Sequence, residues 1–225
     1  MKKISPVCWQ LTILRPAFYF ILLFLAGCCP VTPHVLEELE APVNQAIVVH
    51  PLNKNSTQAT LSTWQRKGFI WRRLLLISAV IGKNGLSLVG QKKEGDGKTP
   101  QGVYPLGPAF GYAPAINTGL SYRQAGPNDF WVDDKNSRQY NQWVSGMPDA
   151  KSFERMRRPD GLYQYGIVIG YNRNPVIPGA GSAIFMHVWR RYNSPTSGCV
   201  AVNQRYLRKI LRWLNQKDQP VIFLQ

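Results

Sequence analysis

The chain has 225 residues, 44% of them hydrophobic, and carries a formal charge of +15 at neutral pH. This length allows one sizeable hydrophobic core in one or two domains, and we favour one domain. The charge favours polyanionic partners or a solvated basic surface. Because the basic residues are dispersed and match no nucleic-acid-binding module, nucleic acid is excluded as the expected partner.

An export signal is predicted at the N-terminus. Basic residues precede the apolar run 18–25, which is too short to span a membrane as a helix. The run leads into Leu25-Ala26-Gly27-Cys28, which resembles the lipobox of bacterial lipoproteins, where cleavage precedes a cysteine that receives a diacylglycerol. We expect a signal peptide over residues 1–27, a lipid anchor on Cys28 and a periplasmic location at the outer membrane. The alternative is an uncleaved anchor helix or an ordinary signal peptide.

The cysteine count then singles out Cys199. Cys8 lies in the segment expected to be removed and Cys29 lies next to the membrane, so Cys199 is the cysteine of the folded domain. A disulfide between Cys29 and Cys199 is the alternative, and it would disable the thiol. The chain has no C-x-x-C pair and its three histidines are scattered, so we expect no structural zinc site. The thiol chemistry described below requires no metal or organic cofactor.

The composition changes near residue 45. Residues 28–44 contain prolines and an acidic cluster, which predicts a tether between lipid and domain, with part of it able to form a short helix. From there on, apolar runs separated by polar turns predict strands near Ala46–Val49, Gln58–Gln65 and Gly68–Ile81. We therefore expect one catalytic domain over residues 45–225.

Two segments in the middle of the chain suggest contacts with a substrate. The Gly-rich loop 94–102 leads into a strand at Val103-Tyr104, and its Lys98 is either a ligand for a substrate carboxylate or a solvated lysine. Aromatic residues lie beside amides and carboxylates in 129–134 and 140–143, as in a sugar-peptide cleft. The candidate substrate-binding residues are Trp131, Asp133, Tyr140 and Asn141. The alternative, which we favour, is a loop that Trp131 and Trp143 clamp onto the core.

The candidate catalytic pair lies at 183–202. Two apolar runs flank a polar segment, so we predict two strands joined by a surface loop, with His187 on the first strand and Cys199 at the entry to the second. A neighbouring imidazole can accept the proton of a thiol, which then attacks an acyl carbon. The amides of Gly198 and Cys199 are candidates for an oxyanion hole. Ser197 or a backbone carbonyl would orient His187.

The C-terminal segment predicts a helix and a strand. Asn203 can cap a helix whose apolar stripe contains Leu207, Ile210, Leu211 and Leu214, and Val221–Leu224 supplies a last strand. The predicted fold class is β-rich α+β, with a mixed sheet or sandwich and one C-terminal amphipathic helix.

These motifs together resemble the L,D-transpeptidase catalytic domain, the YkuD-like family. The strand histidine followed by Thr196-Ser197-Gly198-Cys199 matches its signature, and Gly95 to Gly102 is similar to its G-x-x-x-T-P-x-G segment. Many members carry His before the Gly-Cys and Arg two residues after the Cys, where this chain has Ser197 and Ala201, so it resembles a divergent subgroup. Asn172 resembles a family position near the cleft.

The resemblance implies an enzyme that acts on peptidoglycan stem peptides. Cys199 would form a thioester at the third stem residue, with His187 as its base, and an acceptor amine would resolve it. Two alternatives remain open: an L,D-carboxypeptidase or endopeptidase on the same substrate, and a non-catalytic peptidoglycan-binding lipoprotein.

Overall fold

Long strands with alternating apolar residues build most of the fold. A computed structural model describes residues 32–40, 42–53 and 55–225. The strands are β1 Gln45–Pro51, β2 Gln58–Lys67, β3 Ile70–Val80, β4 Leu86–Ser87, β5 Thr99–Pro100, β6 Gly102–Gly111, β7 Tyr122–Gln124, β8 Asp129–Val132, β9 Trp143–Ser145, β10 Phe153–Arg155, β11 Tyr165–Ile169, β12 Phe185–Val188, β13 Val200–Val202 and β14 Val221–Leu224. The helices are α1 His34–Glu37, α2 Gln204–Trp213 and a 3-10 turn at Gln216–Asp218. The predicted signal peptide, residues 1–27, and the predicted lipid site at Cys28 lie outside the described residues.

The main sheet is mixed, as the sequence predicted. In the described part of the chain it has nine strands in the order β11-β12-β13-β3-β2-β1-β14-β6-β7, and β11 also pairs with β6, so the sheet closes on itself. The pairs β1–β14, β12–β13 and β6–β7 are parallel, whereas the others are antiparallel. Two smaller sheets, β10-β8-β9 and β4-β5, complete this part of the fold. The predicted fold class is confirmed.

The largest core lies between the sheet and α2. Alternate residues of β1, β2 and β3 point into it, for example Ile47, Leu61 and Ile77. The α2 stripe, Leu207, Ile210, Leu211 and Leu214, is buried there, and the Asn203 side chain accepts a hydrogen bond from the Arg205 amide. The predicted helix, its cap and its buried face are therefore confirmed.

A second core lies beneath the Cys199 turn. Trp131, Phe110 and Phe185 meet there in edge-to-face contacts, and Cys199 belongs to the same buried cluster. Aromatic pairs of this kind add stabilisation beyond the area they bury, so this core gives the turn a rigid base.

A third core joins α1 to the other face of the sheet. Leu36 is fully buried against a cluster that contains Trp64 and Trp71. Part of the predicted tether thus packs onto the sheet through Val35, Leu36, Leu39 and Val43, because its short helix carries an apolar residue that fits beside two tryptophans. Thr32–Gln225 is one compact unit, and its cores are made of its own residues. No helix among the described residues has the length and apolar character needed to cross a bilayer.

Candidate active site

The sheet brings His187 and Cys199 to one pocket. Strands β12 and β13 are parallel neighbours, and His187 is in register with Ala201, two residues beyond Cys199. Both side chains line a pocket of about 200 Å³, together with Glu154, Arg158, Tyr163 and Ser197. The arrangement of two strands that the sequence predicted therefore places the thiol and the imidazole at a common cavity.

The turn before Cys199 is locked by Thr196. The Thr196 hydroxyl donates to the Cys199 carbonyl oxygen at 2.6 Å and accepts from the Gly198 amide at 3.1 Å. Gly198 has φ +148°, and a Cβ at this position would lie 2.9 Å from the Lys98 carbonyl oxygen. Only glycine fits such a close backbone approach. The Gly198 amide is bonded to Thr196, so of the two amides predicted to form an oxyanion hole the Cys199 amide is the more available one.

Backbone groups of the preceding segment hold the thiol. Cys199 Sγ donates to the Ala183 carbonyl oxygen at 3.2 Å, and the Phe185 amide donates to Sγ at 3.3 Å. Ala183 has φ +52°, a left-handed conformation that is uncommon for residues other than glycine. Burial, followed by the charge of the nearby Glu154 carboxylate, raises the pKa of the Cys199 thiol to about 12. The thiol is therefore protonated at neutral pH.

The imidazole is oriented by a backbone carbonyl. His187 Nδ1 lies 2.8 Å from the Val188 carbonyl oxygen, so Nδ1 carries the proton and Nε2 keeps a free lone pair. The Tyr163 ring meets the His187 ring edge-on at a centroid separation of 5.2 Å. Burial lowers the pKa of His187 to about 4, although the Val188 carbonyl opposes this shift. Ser197, the other group considered for this orienting role, lies in the pocket lining.

The two groups therefore face the pocket as a neutral pair. A thiol pKa near 12 and an imidazole pKa near 4 disfavour a thiolate–imidazolium pair before a substrate binds. Proton transfer from sulfur to Nε2 would then accompany the attack itself, which is general base catalysis by a neutral imidazole.

A charged wall of the pocket was missed by sequence reasoning. The Tyr163 hydroxyl donates to Glu154 Oε2 at 2.5 Å, and burial raises the pKa of this carboxyl. Arg158 pairs with Asp160 at 2.7 Å, and the same carboxylate binds Arg190 at 3.1 Å. These residues come from β10, the loop after it and the loop after β12, and no local motif in the sequence marks them.

The six predicted substrate-binding residues lie outside this pocket lining. The Trp131 indole donates to Asn141 Oδ1 at 2.9 Å, and the Asn141 amide donates to the Asn172 carbonyl oxygen at 2.6 Å. The Tyr140 hydroxyl donates to Glu94 at 2.5 Å. Trp131, Tyr140 and Asn141 are buried, and their contact with a substrate stays a prediction. They clamp loops onto the core, which is the alternative that the sequence analysis favoured.

The other three candidates have local roles. Lys98 is exposed, and its amide donates to Asp96 at 2.8 Å. Asp133 accepts a hydrogen bond from Ser152, and the Asn172 side chain bonds the backbone of Ile177 and Gly181. The Gly-rich loop does reach the site, because the Thr99 hydroxyl donates to the Cys199 carbonyl oxygen at 3.5 Å.

The fold is a closed mixed sheet that carries a thiol and an imidazole at one pocket. A family model for YkuD, the L,D-transpeptidase catalytic domain, matches residues 44–222, and the chain belongs to this family. A domain of this family implies catalysis of the L,D-transpeptidase type. The family acts on peptidoglycan and is typical of the bacterial cell envelope.

Comparisons with individual proteins are less informative. No curated protein matches the chain. Among solved structures, that of Bdellovibrio bacteriovorus Bd1075 is 18% identical with a TM-score of 0.44, and the match covers 84% of this chain and 50% of that one. The chain thus spans about half the length of the Bd1075 chain.

Proposed function

We propose that the domain transfers acyl groups between peptidoglycan stem peptides through a thioester on Cys199. The observation that carries the proposal is the common pocket of Cys199 and His187, in which the Val188 carbonyl leaves His187 Nε2 unprotonated. An unprotonated nitrogen that shares a pocket with a protonated thiol supports general base catalysis.

The proposed reaction has two halves. The Cys199 thiol proton leaves its hydrogen bond to the Ala183 carbonyl oxygen and passes to His187 Nε2. At the same time the sulfur attacks the carbonyl carbon of the third stem residue. The tetrahedral intermediate collapses, the bond to the terminal D-amino acid breaks, and the imidazolium returns its proton to the departing amine. An acceptor amine then attacks the thioester and gives its proton to His187, and Cys199 leaves as the thiol.

The environment of the pair supports a coupled proton transfer. The Phe185 amide, which already donates to sulfur, stabilises the developing thiolate, and the Arg158 guanidinium adds positive charge to the same pocket. Ala201 also lines this pocket at the position where many members of the family carry Arg, which supports placing the chain in a divergent subgroup.

Product analysis tests the proposal. Thr32–Gln225 is incubated with tetrapeptide muropeptides, and the products are weighed by mass spectrometry. Cross-linked dimers support transpeptidation, trimmed monomers would show hydrolysis, and unchanged substrate that still binds would show a non-catalytic binding protein. We expect Cys199→Ala to abolish turnover and His187→Ala to remove most of the rate. Turnover by the Cys199 variant would reject the thioester.

We further propose that the domain follows a signal peptide, residues 1–27, and is held at the periplasmic face of the outer membrane by a lipid on Cys28. The Leu25-Ala26-Gly27-Cys28 segment supports this proposal. The mass of the mature N-terminus tests it: a diacylated Cys28 is expected, and an unmodified first residue other than Cys28 contradicts it.

A further inference from the structure

The turn between β2 and β3 exposes large apolar side chains. The solvent-accessible area relative to a fully exposed residue is 103% for Phe69 and 60% for Ile70. Both residues lie within the eight-residue segment Arg66–Arg73, which we call the basic hairpin tip. Full exposure of a phenylalanine at a turn contributes nothing to folding, since the ring contacts water in the folded and the unfolded chain alike. The tip therefore has an apolar surface that the fold itself does not use.

The basic hairpin tip projects beyond its neighbouring strands. The register of β1 with β2 ends at Gln65, and β13 pairs with β3 only at Ala79 and Val80. The last two pairs of the hairpin extend past both strands, and Gly68, at φ +60°, closes the turn. The tip can therefore insert into an apolar layer outside the protein without unfolding the sheet.

Positive charge surrounds the apolar residues. The segment contains Arg66, Lys67, Arg72 and Arg73 and no acidic residue. None of the ion pairs formed between described residues involves these four side chains. No carboxylate therefore neutralises their charge through an ion pair, although the Arg66 guanidinium also donates to the Leu39 carbonyl oxygen at 2.6 Å.

Two aromatic rings hold the arginines close to the tip. The Arg66 guanidinium lies 5.4 Å from the Trp71 ring centroid, and the Arg73 guanidinium lies 5.8 Å from that of Trp64. Glu37 and Glu40 line the adjacent groove with Phe69, so they offset part of the charge. The four cations outnumber the three glutamates of the adjacent segment, Glu37, Glu38 and Glu40, so the net formal charge here is positive.

We propose that the basic hairpin tip docks on the surface of an anionic lipid bilayer, with Phe69 and Ile70 in the interface and the four cations at the headgroups. An anionic bilayer is apolar inside and negatively charged at its surface. The basic hairpin tip complements it, because the tip has an aromatic and an aliphatic side chain at its end and cations around them. A protein partner would instead need a complementary concave surface for one projecting ring. The proposal does not depend on the catalytic mechanism.

The position of the N-terminal segment agrees with this docking. Thr32, the first described residue, lines the same groove as Phe69. A chain that reaches Thr32 from a lipid on Cys28 would therefore enter the domain beside the tip. A single lipid chain or a basic patch alone gives weak attachment, whereas two signals together give stable attachment.

Vesicle binding tests the proposal without the lipid anchor. Thr32–Gln225 is sedimented with vesicles of phosphatidylcholine alone or mixed with an equal part of phosphatidylglycerol. We expect binding to the anionic vesicles only, weakening as salt is added. Phe69→Ser with Ile70→Ser should weaken it by at least roughly tenfold, and Arg72→Gln with Arg73→Gln by roughly tenfold.

Matched variants on other surfaces serve as controls. Leu88→Ser with Val89→Ser removes two exposed apolar residues elsewhere, and Arg205→Gln with Lys209→Gln removes the same charge from α2. Both pairs should bind like the unchanged protein, and all variants should keep its melting temperature. Absence of binding to anionic vesicles, or equal losses in tip and control variants, overturns the proposal. So does a change from dimer to monomer on loss of Phe69 without a change in vesicle binding.

Discussion

Cys199 donates its thiol hydrogen bond to the carbonyl oxygen of Ala183, at 3.2 Å, and Ala183 holds that carbonyl in place with φ +52°. The Ala183 amide in turn donates to Asn141 Oδ1 at 3.1 Å. The resting position of the sulfur thus depends on a backbone conformation that is itself fixed by a buried amide from a distant loop.

The conformation of Ala183 can be tested by substitution. A β-branched residue is strongly disfavoured at positive φ, so Ala183→Val should lower the free energy of unfolding by more than about 2 kcal/mol. Ala183→Gly should change it by less than about 1 kcal/mol, because glycine adopts this conformation without strain. Urea unfolding measures both. Ala79→Val, at a buried strand position, separates the cost of overpacking from backbone strain; equal losses at the two sites would contradict the strain argument.

Asn141 should be essential for stability. Its side chain accepts from Trp131 and Ala183 and donates to the Tyr171 and Asn172 carbonyls, so Asn141→Leu leaves two buried N–H groups and two part-buried carbonyls without this partner. We expect a loss of about 3 kcal/mol in the free energy of unfolding. Asn136→Leu, at an exposed position, should change it by less than about 0.5 kcal/mol. Equal free energies of unfolding for Asn141→Leu and Asn136→Leu would show that the hydrogen bonds of Asn141 do not stabilise the fold.

The charges around the pocket should control the reactivity of the thiol. With a pKa of about 12, Cys199 should react with iodoacetamide at a rate that still rises at pH 10. Glu154 raises this pKa and Arg158 lowers it, so Glu154→Gln should speed alkylation and Arg158→Gln should slow it, each by roughly fivefold at a fixed alkaline pH.

This measurement uses Thr32–Gln225, in which Cys199 is the single cysteine. Mass spectrometry follows the labelled fraction, and the urea-unfolded chain gives the reference rate. Shifts in the same direction for both variants would contradict an electrostatic cause.

His187 should make the domain less stable in acid. Its folded pKa of about 4 lies below the ordinary value of 6.5, so the neutral ring is favoured in the folded state. The corresponding stability is present above pH 6.5 and is lost as the pH falls towards 4. The His187 contribution between pH 7 and pH 4 is about 3 kcal/mol.

His187→Gln cannot gain a proton in this range and serves as the reference. Urea unfolding of both proteins at the two pH values isolates the His187 contribution, since the other titrating groups are common to both. The same pH dependence in both proteins would show that the imidazole is not buried in its neutral form.

Short-range patterns account for what the sequence predicted correctly. The 3.6-residue repeat of Leu207, Ile210 and Leu211 identified α2 and its buried face, because a helix needs only local periodicity to place one stripe on a core. Alternation along 184–189 separated Phe185 and His187 from Ile184, Met186 and Val188, because successive residues of a strand point to opposite faces.

Long-range contacts account for what the sequence left open. Trp131 and Asn141 look like cleft residues in the sequence, and they are buried because β8 and the following loop fold beneath β12. In the sequence, the Gly198 amide is a candidate donor to an oxyanion. In the fold, this amide donates to the Thr196 hydroxyl.

The amino-acid sequence alone determined the mixed β-rich fold, the C-terminal helix and the two side chains proposed for catalysis, since periodicity and motif spacing are properties of neighbouring residues. Tertiary structure alone decided that Ala183 holds the sulfur, that Val188 sets the tautomer of His187, and that Glu154, Tyr163 and Arg158 surround them. Glu154, Arg158 and Tyr163 come from a segment far from Cys199 in the chain, and closure of the sheet brings them together, because burying the apolar faces of the strands fixes which polar groups share a pocket.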